Sequence, residues 1–388
     1  MTKAPIPWSR LILLWLAGVD LRITLLVIPP LIPLIHHDLP LDETMVAMLL
    51  GLPVLLIAAA ATLGSLLISH LDARRALIAG IAIIALSSAL RGVGPSVPML
   101  FAMTFLMGAA VAVSQPALPA LVFHWAPRQI GLATAIYTGG LLIGEMLGAG
   151  LTTQVVAPLA GGWRQALALW ALLPMVTAVG VWMLTPPIAE SGVKRRADWW
   201  PDFRDARTWR LGLIQAGTSI VYWGTNTFLP DYLHSLGLGK LTPLALFLVS
   251  AGQIPASLLL TLVPDRFTGR AAPIRAMALV AVLGLTIFLL PRDWARLAGA
   301  TLLGFASAFV FILNLAFPPL LARDADEVHR ISAGMFTIGY GLTFVMPLIG
   351  GAVWDRTGIA WLSLAPIVVG VLCFLIAPSG LSIPGYEL

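Results

Sequence analysis

The sequence predicts an all-α integral membrane protein of twelve transmembrane helices in two pseudo-symmetric six-helix bundles. Three observations predict it. The 388 residues are 59% hydrophobic and 11% charged, against roughly a quarter charged in a soluble domain, so lipid must cover most of the surface. Apolar runs near the ~20 residues that a helix needs to cross a ~30 Å hydrocarbon core recur along the whole chain. The Lys and Arg residues cluster between these runs, and the longest polar segment divides the runs six and six.

The expected spans, in order, are Ser9 to Ile35, Glu43 to Ser69, Ala73 to Arg91, Val97 to Phe123, Ile130 to Val156 and Gln165 to Leu184, then Leu211 to Leu229, Leu241 to Val263, Pro273 to Leu290, Leu297 to Leu321, Ile331 to Val353 and Ile359 to Ala377. Lys3 and Arg10 precede an apolar run too long for a signal-peptide core and without a small-residue cleavage site, so the first segment reads as a retained span. Placing the N-terminus inside puts sixteen of the 23 Lys and Arg residues on the cytoplasmic side and six outside, with Arg22 inside a span. Both termini are then cytoplasmic. The domains expected are 1–185 and 211–388, joined by a basic cytoplasmic linker, 186–210. A short interfacial helix in the linker could carry Trp199, Trp200 and Trp209. Residues 131–149 and 333–351 align across the linker, pairing Ile136 with Ile338, Gly139 with Gly341 and Gly148 with Gly350.

Several function classes lack their chemistry. There is no His-Glu-x-x-His pair, no Gly-x-x-x-x-Gly-Lys phosphate loop and no Gly-x-Ser-x-Gly turn. An enzyme is not expected, nor a cofactor, nor ATP-driven pumping, which leaves ion gradients as the energy source. The net charge of +5 is an orientation signal rather than a nucleic-acid footprint, because no basic patch is interleaved with aromatics. The single Cys373 forms no internal disulfide. His36 and His37 beside Asp38 supply too few ligands for a structural metal site and read as a solvated outer loop.

Three ionisable residues lie well inside apolar spans: Asp20, Arg22 and Glu145. On insertion scales each costs roughly 2.5–3.5 kcal/mol unless paired or hydrated, so function is their default explanation. At about 1.5 Å per residue, Arg22 and Glu145 stand at matching depths, roughly 20 and 22 Å above the cytoplasmic edge. Asp20 and Arg22, two apart, point to different neighbours. Weaker polar candidates are Ser114 and Gln115 on the fourth span, Tyr222 and Asn226 on the seventh and Asn314 on the tenth. Pro116 and Pro119 break the backbone ladder near Gln115, and interrupted helices border many transporter sites.

Twelve spans in two sixes, a basic central loop and charged turns after the second and eighth spans resemble the major facilitator superfamily over nearly the whole chain. Its cytoplasmic signature is degenerate in the first half (Asp72-Ala73-Arg74-Arg75) and closer in the second (Asp265-Arg266-Phe267-Thr268-Gly269-Arg270, one residue inserted). The resemblance marks Asp72, Arg74, Arg75, Asp265, Arg266 and Arg270 as a conformational latch. Asp20-Leu21-Arg22, Gly162-Trp163-Arg164 and Phe228-Leu229-Pro230-Asp231-Tyr232-Leu233 look like the cyanate permease and nitroimidazole transporter group, which usually has Asn where Asp20 stands. Gly131, Gly140, Gly144, Glu145, Gly148 and Ala149 follow the spacing of the antiporter motif of drug exporters, with Glu145 in place of its proline and Ala149 in place of a glycine. Pro347-x-x-Gly350-Gly351 stands at the repeat-related place. Generic helix packing explains such glycines equally well.

The resemblance implies the major facilitator fold, with the first and fifth spans adjoining and Arg22 and Glu145 paired beside a central cavity. The expected function is import of a small anion or small polar molecule across the bacterial inner membrane by alternating access, with protons as coupling ion. Arg22, Gln115, Tyr222, Asn226 and Asn314 would bind substrate, and Glu145 or Asp20 would carry the proton. Two alternatives are a proton-coupled exporter of drug-like compounds such as nitroimidazoles and, from another class, a non-transporting membrane sensor, for which the terminal tails are short. The family resemblance implies a monomer.

Overall fold

The computed structural model describes residues 7–41, 43–94, 96–187, 200–357, 364–379 and 381. Helices are the only regular structure among them. The first six apolar segments fold as α1 (Trp8–Leu26), α2 (Ile28–Asp38), α3 (Glu43–Leu90), α4 (Val97–Trp125), α5 (Ile130–Leu151), a π-helical turn (Thr152–Val156), α6 (Ala157–Ala160) and α7 (Trp163–Leu184). The remainder is α8 (Ala206–Ser235), a 3-10 turn (Gly239–Leu241), α9 (Thr242–Ala251), α10 (Gln253–Leu262), α11 (Pro264–Phe267), α12 (Ala271–Phe288), α13 (Asp293–Leu321), α14 (Ala325–Thr357) and α15 (Ala365–Ile376).

Among the described residues, eight helical stretches are long and apolar enough to cross a membrane: Trp8–Ile32, Leu71–Leu90, Val97–Trp125, Ile130–Ala160, Trp163–Leu184, Gly239–Leu262, Ala271–Phe288 and Asp293–Leu321. The other four expected spans fall on the first part of α3, on α8, on α14 and, beyond the segment 358–363 that lies outside the described residues, on α15. Leu172, Val176, Val179 and Met183 on α7, and Leu279 and Leu283 on α12, are exposed. Rows of large apolar side chains open to the surroundings are what a lipid-facing helix presents.

Three local outcomes differ from the sequence reading. Pro29 and Pro30 end the first helix at Leu26 and restart it at Ile28, so His37 and Asp38 ride on α2 rather than on a loop. The side chain of His36 lies outside the described residues. The turn between the second and third spans is a single residue: Asp72, at φ 64° and ψ 159°, interrupts the helical run Glu43–Leu90. Its Oδ1 accepts the Arg75 backbone N–H (2.9 Å), which caps the new helix. Pro116 and Pro119, by contrast, do not interrupt α4. Each removes one donor from the ladder, and the helix runs on because packing holds it.

The chain divides into two compact units, Met1–Pro201 with Ala322–Ala333, and Asp202–Leu321 with Gly334–Leu388. In the first unit, Val19, Ile23, Val27 and Leu31 of the α1–α2 ridge bury against Trp163, Ala166 and Leu167 of α7. Lipid is as apolar as leucine, so the gain here is close van der Waals fit rather than removal from water. Arg74, buried two residues past the Asp72 turn of α3, donates to Thr185 Oγ1 (2.8 Å) and to the Trp182 carbonyl (2.7 Å). It thereby satisfies a carbonyl that the end of α7 leaves open and places a cation at the negative pole of that helix.

Candidate functional site

The intramembrane charges converge where α1 crosses α5. Gly140, Gly144 and Gly148 recur every fourth residue on α5, and Trp15, Val19 and Ile23 recur every fourth residue on α1. A Cβ on Gly140 would strike the Trp15 carbonyl, one on Gly144 the Val19 carbonyl, and one on Gly148 would come within 2.9 Å of the Ile23 carbonyl. Gly18 of α1 abuts the Tyr137 carbonyl in return. Only hydrogen at these positions lets the two backbones lie this close.

That approach brings Arg22 to Glu145. Arg22 Nη1 stands 3.5 Å from Glu145 Oε1, with side-chain exposures of 10% and 14%. Equal depth and close helices make the contact, and an ion pair in a low-dielectric seam is far stronger than one in water. Asp20, one residue beyond the Gly18–Val19 contact and on another face of α1, is wholly buried, and neither carboxylate oxygen has a hydrogen bond. Thr177 of α7 lies beside it but donates to its own helix at Leu173 O (3.1 Å). The π-helical turn follows Glu145 by two turns, and there Thr152 Oγ1 accepts the Trp170 indole N–H at 3.0 Å.

The remaining candidates sit on α4, α8 and α13. Gln115 is buried on α4. Neighbouring Ser114 bonds back to the Ala110 carbonyl (2.8 Å) and is crowded by Gly80 of α3. In the second unit, Asn314 of α13 donates from Nδ2 to Leu211 O and to Gln215 Oε1, each at 3.2 Å, on α8. Gln215 in turn reaches Ser219 (3.3 Å). Asn226 Nδ2 donates to the Tyr222 carbonyl one turn back (2.8 Å), and the Tyr222 ring meets Trp223 edge-on. Of the latch residues, Asp72 pairs with Arg75 (3.4 Å) inside its own turn and Arg74 holds α7. Arg266 is exposed, Arg270 is half-buried, and the Asp265 side chain lies outside the described residues.

Three partnerships escaped sequence reasoning. Gln215 joins Asn314, and its place one turn above Leu211 on α8 was the available signal. Arg91, counted from sequence as an outer-side charge, is completely buried and donates from Nη2 to Thr24 O (2.9 Å) and Ser88 Oγ (3.0 Å). At the end of α2, Asp38 Oδ2 accepts both the Trp163 indole N–H (3.0 Å) and Arg164 Nη1 (2.9 Å). Hydrogen bonds from His37 first, then Trp163, hold the Asp38 carboxyl below the usual aspartate range.

The sequence profile described as Major Facilitator Superfamily matches residues 11–328. Among characterised relatives, the cyanate transport protein CynX of Escherichia coli (strain K12) is 26% identical over 93% of this chain and 95% of its own length. The 2-nitroimidazole transporter of the same organism is 28% identical over 93% of this chain and 91% of its own. The uncharacterized transporter YycB of Bacillus subtilis (strain 168) is 25% identical over 87% and 84%. The crystal structure of the human organic anion transporter MFSD10 (TETRAN) superposes with a TM-score of 0.75 at 17% identity, covering 96% of this chain and all of that one, which shows the shared fold.

Proposed function

Because the chain belongs to the Major Facilitator Superfamily, whose members transport small substrates across membranes, we propose that it imports a small anion or small polar molecule, of the cyanate type, by alternating access coupled to protons. The buried Arg22–Glu145 pair carries this reading. A guanidinium presents a planar fork of N–H donors that suits a small anion, and here its charge is paired with the Glu145 carboxylate. A proton arriving on Glu145 neutralises that carboxylate and frees Arg22 for the incoming anion. Deprotonation on the opposite side restores the ion pair and expels the anion. Proton and substrate then move in the same direction, because each makes room for the other.

Asp20 supplies a second carboxyl in the same unit. Gln115, Tyr222, Asn226 and Asn314 are the proposed neutral contacts for the substrate body. The turns at Asp72–Arg75 and at Asp265–Arg270 serve as latches between conformations, with both termini cytoplasmic, in a monomer of the bacterial inner membrane. Similarity to the 2-nitroimidazole transporter favours one second reading, proton-coupled export of such compounds. The glycine spacing that also suggested it is accounted for by the approach of α5 to α1.

Reconstitution into liposomes with an imposed pH gradient tests the proposal. Cyanate uptake by the wild type should rise with external acid. Arg22→Gln should lower it about tenfold or more, equivalent to about 1.4 kcal/mol of lost stabilisation. Glu145→Gln should keep exchange at equal pH and lose stimulation by the gradient. Wild-type rates with unchanged pH dependence in both variants would refute the mechanism, and gradient-driven movement of 2-nitroimidazole with none of cyanate would select the export reading.

A further inference from the structure

We propose that Arg91 is the counter-ion of Asp20, a positioning residue that stabilises the Asp20 carboxylate whenever it gives up its proton; this rests on the reading of Asp20 as a proton carrier. Both side chains have no exposed surface. Both are incompletely satisfied: Asp20 Oδ1 and Oδ2 lack a hydrogen-bond partner, and so do Arg91 Nε and Nη1. Unmet donors and unmet acceptors of opposite charge therefore lie buried inside one unit.

Thr24 connects them. Its hydroxyl donates to the Asp20 carbonyl (2.9 Å), and its own carbonyl accepts Arg91 Nη2 (2.9 Å). Arg91 thus grips α1 one turn, about 6 Å of rise, beyond Asp20. The other cations on elements packed against α1 are engaged: Arg22 by Glu145, Arg164 by Asp38, Arg75 by Asp72 and Arg74 by the end of α7. His124 stands in the last turn of α4, at the end opposite to Arg91. Among the described residues of this set, Arg91 alone keeps two buried nitrogens with no hydrogen-bond partner, and its charge is permanent. A shift of α1 against α3 by one turn, or a rotamer change of Arg91, would set those nitrogens on the carboxylate.

The test uses Asp20→Asn, Arg91→Gln and the double variant, purified in detergent and in liposomes. Melting needs no substrate. Under alkaline conditions, where Asp20 is ionised, each single variant should melt several degrees below the wild type, and the double variant should lie closer to the wild type than the sum of the two shifts, by roughly 3 °C or more. Shifts that add would overturn the pairing. In liposomes, Arg91→Gln should lose gradient-driven cyanate uptake about tenfold while equal-pH exchange stays within about threefold. Equal loss of both modes would mean that Arg91 only pins α1 to α3, and would overturn the proposed role. A wild type that exchanges cyanate but ignores the gradient would defeat the proton-coupling reading itself. A wild type inert to cyanate would defeat the substrate reading, and the melting comparison would still decide the pair.

Discussion

Arg22 and Glu145 show what a buried charge demands of its neighbour. Removing one member of such a pair leaves the other without compensation, at a cost of about 3–5 kcal/mol, whereas removing both is far milder. Glu145→Gln should therefore melt at a lower temperature than the double variant Arg22→Gln, Glu145→Gln, measured by thermal unfolding in detergent. At the end of α2 the expectation concerns pH. The Asp38 carboxyl is held below its ordinary value in the folded protein, so its contribution is present above the unfolded pKa and disappears as pH falls through the folded one. Asp38→Asn should melt below the wild type at pH 7, and the difference should close as pH falls below the ordinary aspartate range. The intramembrane residues themselves were legible in the sequence, because a charge in an apolar run stands out. Their partners were legible only through matched depth. The burial of Arg91 was not legible because it sits where an apolar run ends, and a run boundary does not tell a buried side chain from a solvated one.

At the scale of helices, the α1–α5 crossing depends on hydrogen atoms in place of side chains. Gly144→Ala forces a methyl onto the Val19 carbonyl and should destabilise by about 1–3 kcal/mol, because neither backbone can yield without parting the helices. Gly150→Ala, on the same helix with nothing within 4 Å, is the control and should melt as the wild type does. The Asp72 turn sets two effects against each other. Its backbone conformation costs a non-glycine residue about 1–3 kcal/mol, while its carboxylate caps the helix at about 0.5–2 kcal/mol. Asp72→Ala keeps the strain and loses the cap, so it should be the less stable variant. Asp72→Gly relieves the strain and should stay close to the wild type. Thermal unfolding of the two variants measures the difference. Composition located the helices well, but it missed the restart at Ile28 and the one-residue turn at Asp72, because prolines and charges signal a break without fixing its geometry.

For the molecule as a whole, the sequence carried the family through long-range regularities, the recurrence of apolar runs and the central basic segment, and the side on which Arg and Lys collect sets the expected orientation. Alkaline phosphatase fused within 186–210 should stay inactive and a fusion after residue 41 should be active, since that enzyme matures only outside the cytoplasm; the reverse pattern would invert the topology. Less legible were the polar contacts of the second unit. Asn314 and Gln215 are separated by 99 positions, and no local periodicity links residues that far apart. Such pairings are set by how whole helices lie against one another.

The π-helical turn at Thr152–Val156 gives α5 one surplus residue relative to an unbroken α-helical ladder. Every side chain past it is rotated by about a hundred degrees from where a uniform spiral starting at Ile130 would put it. Migration of that kink by a residue or two would swing α6 (Ala157–Ala160) around the helix axis while Glu145 keeps its bearing, reorienting that end of the bundle with the charge pair undisturbed. Excising Val155 would let the spiral run uniformly and freeze that pivot.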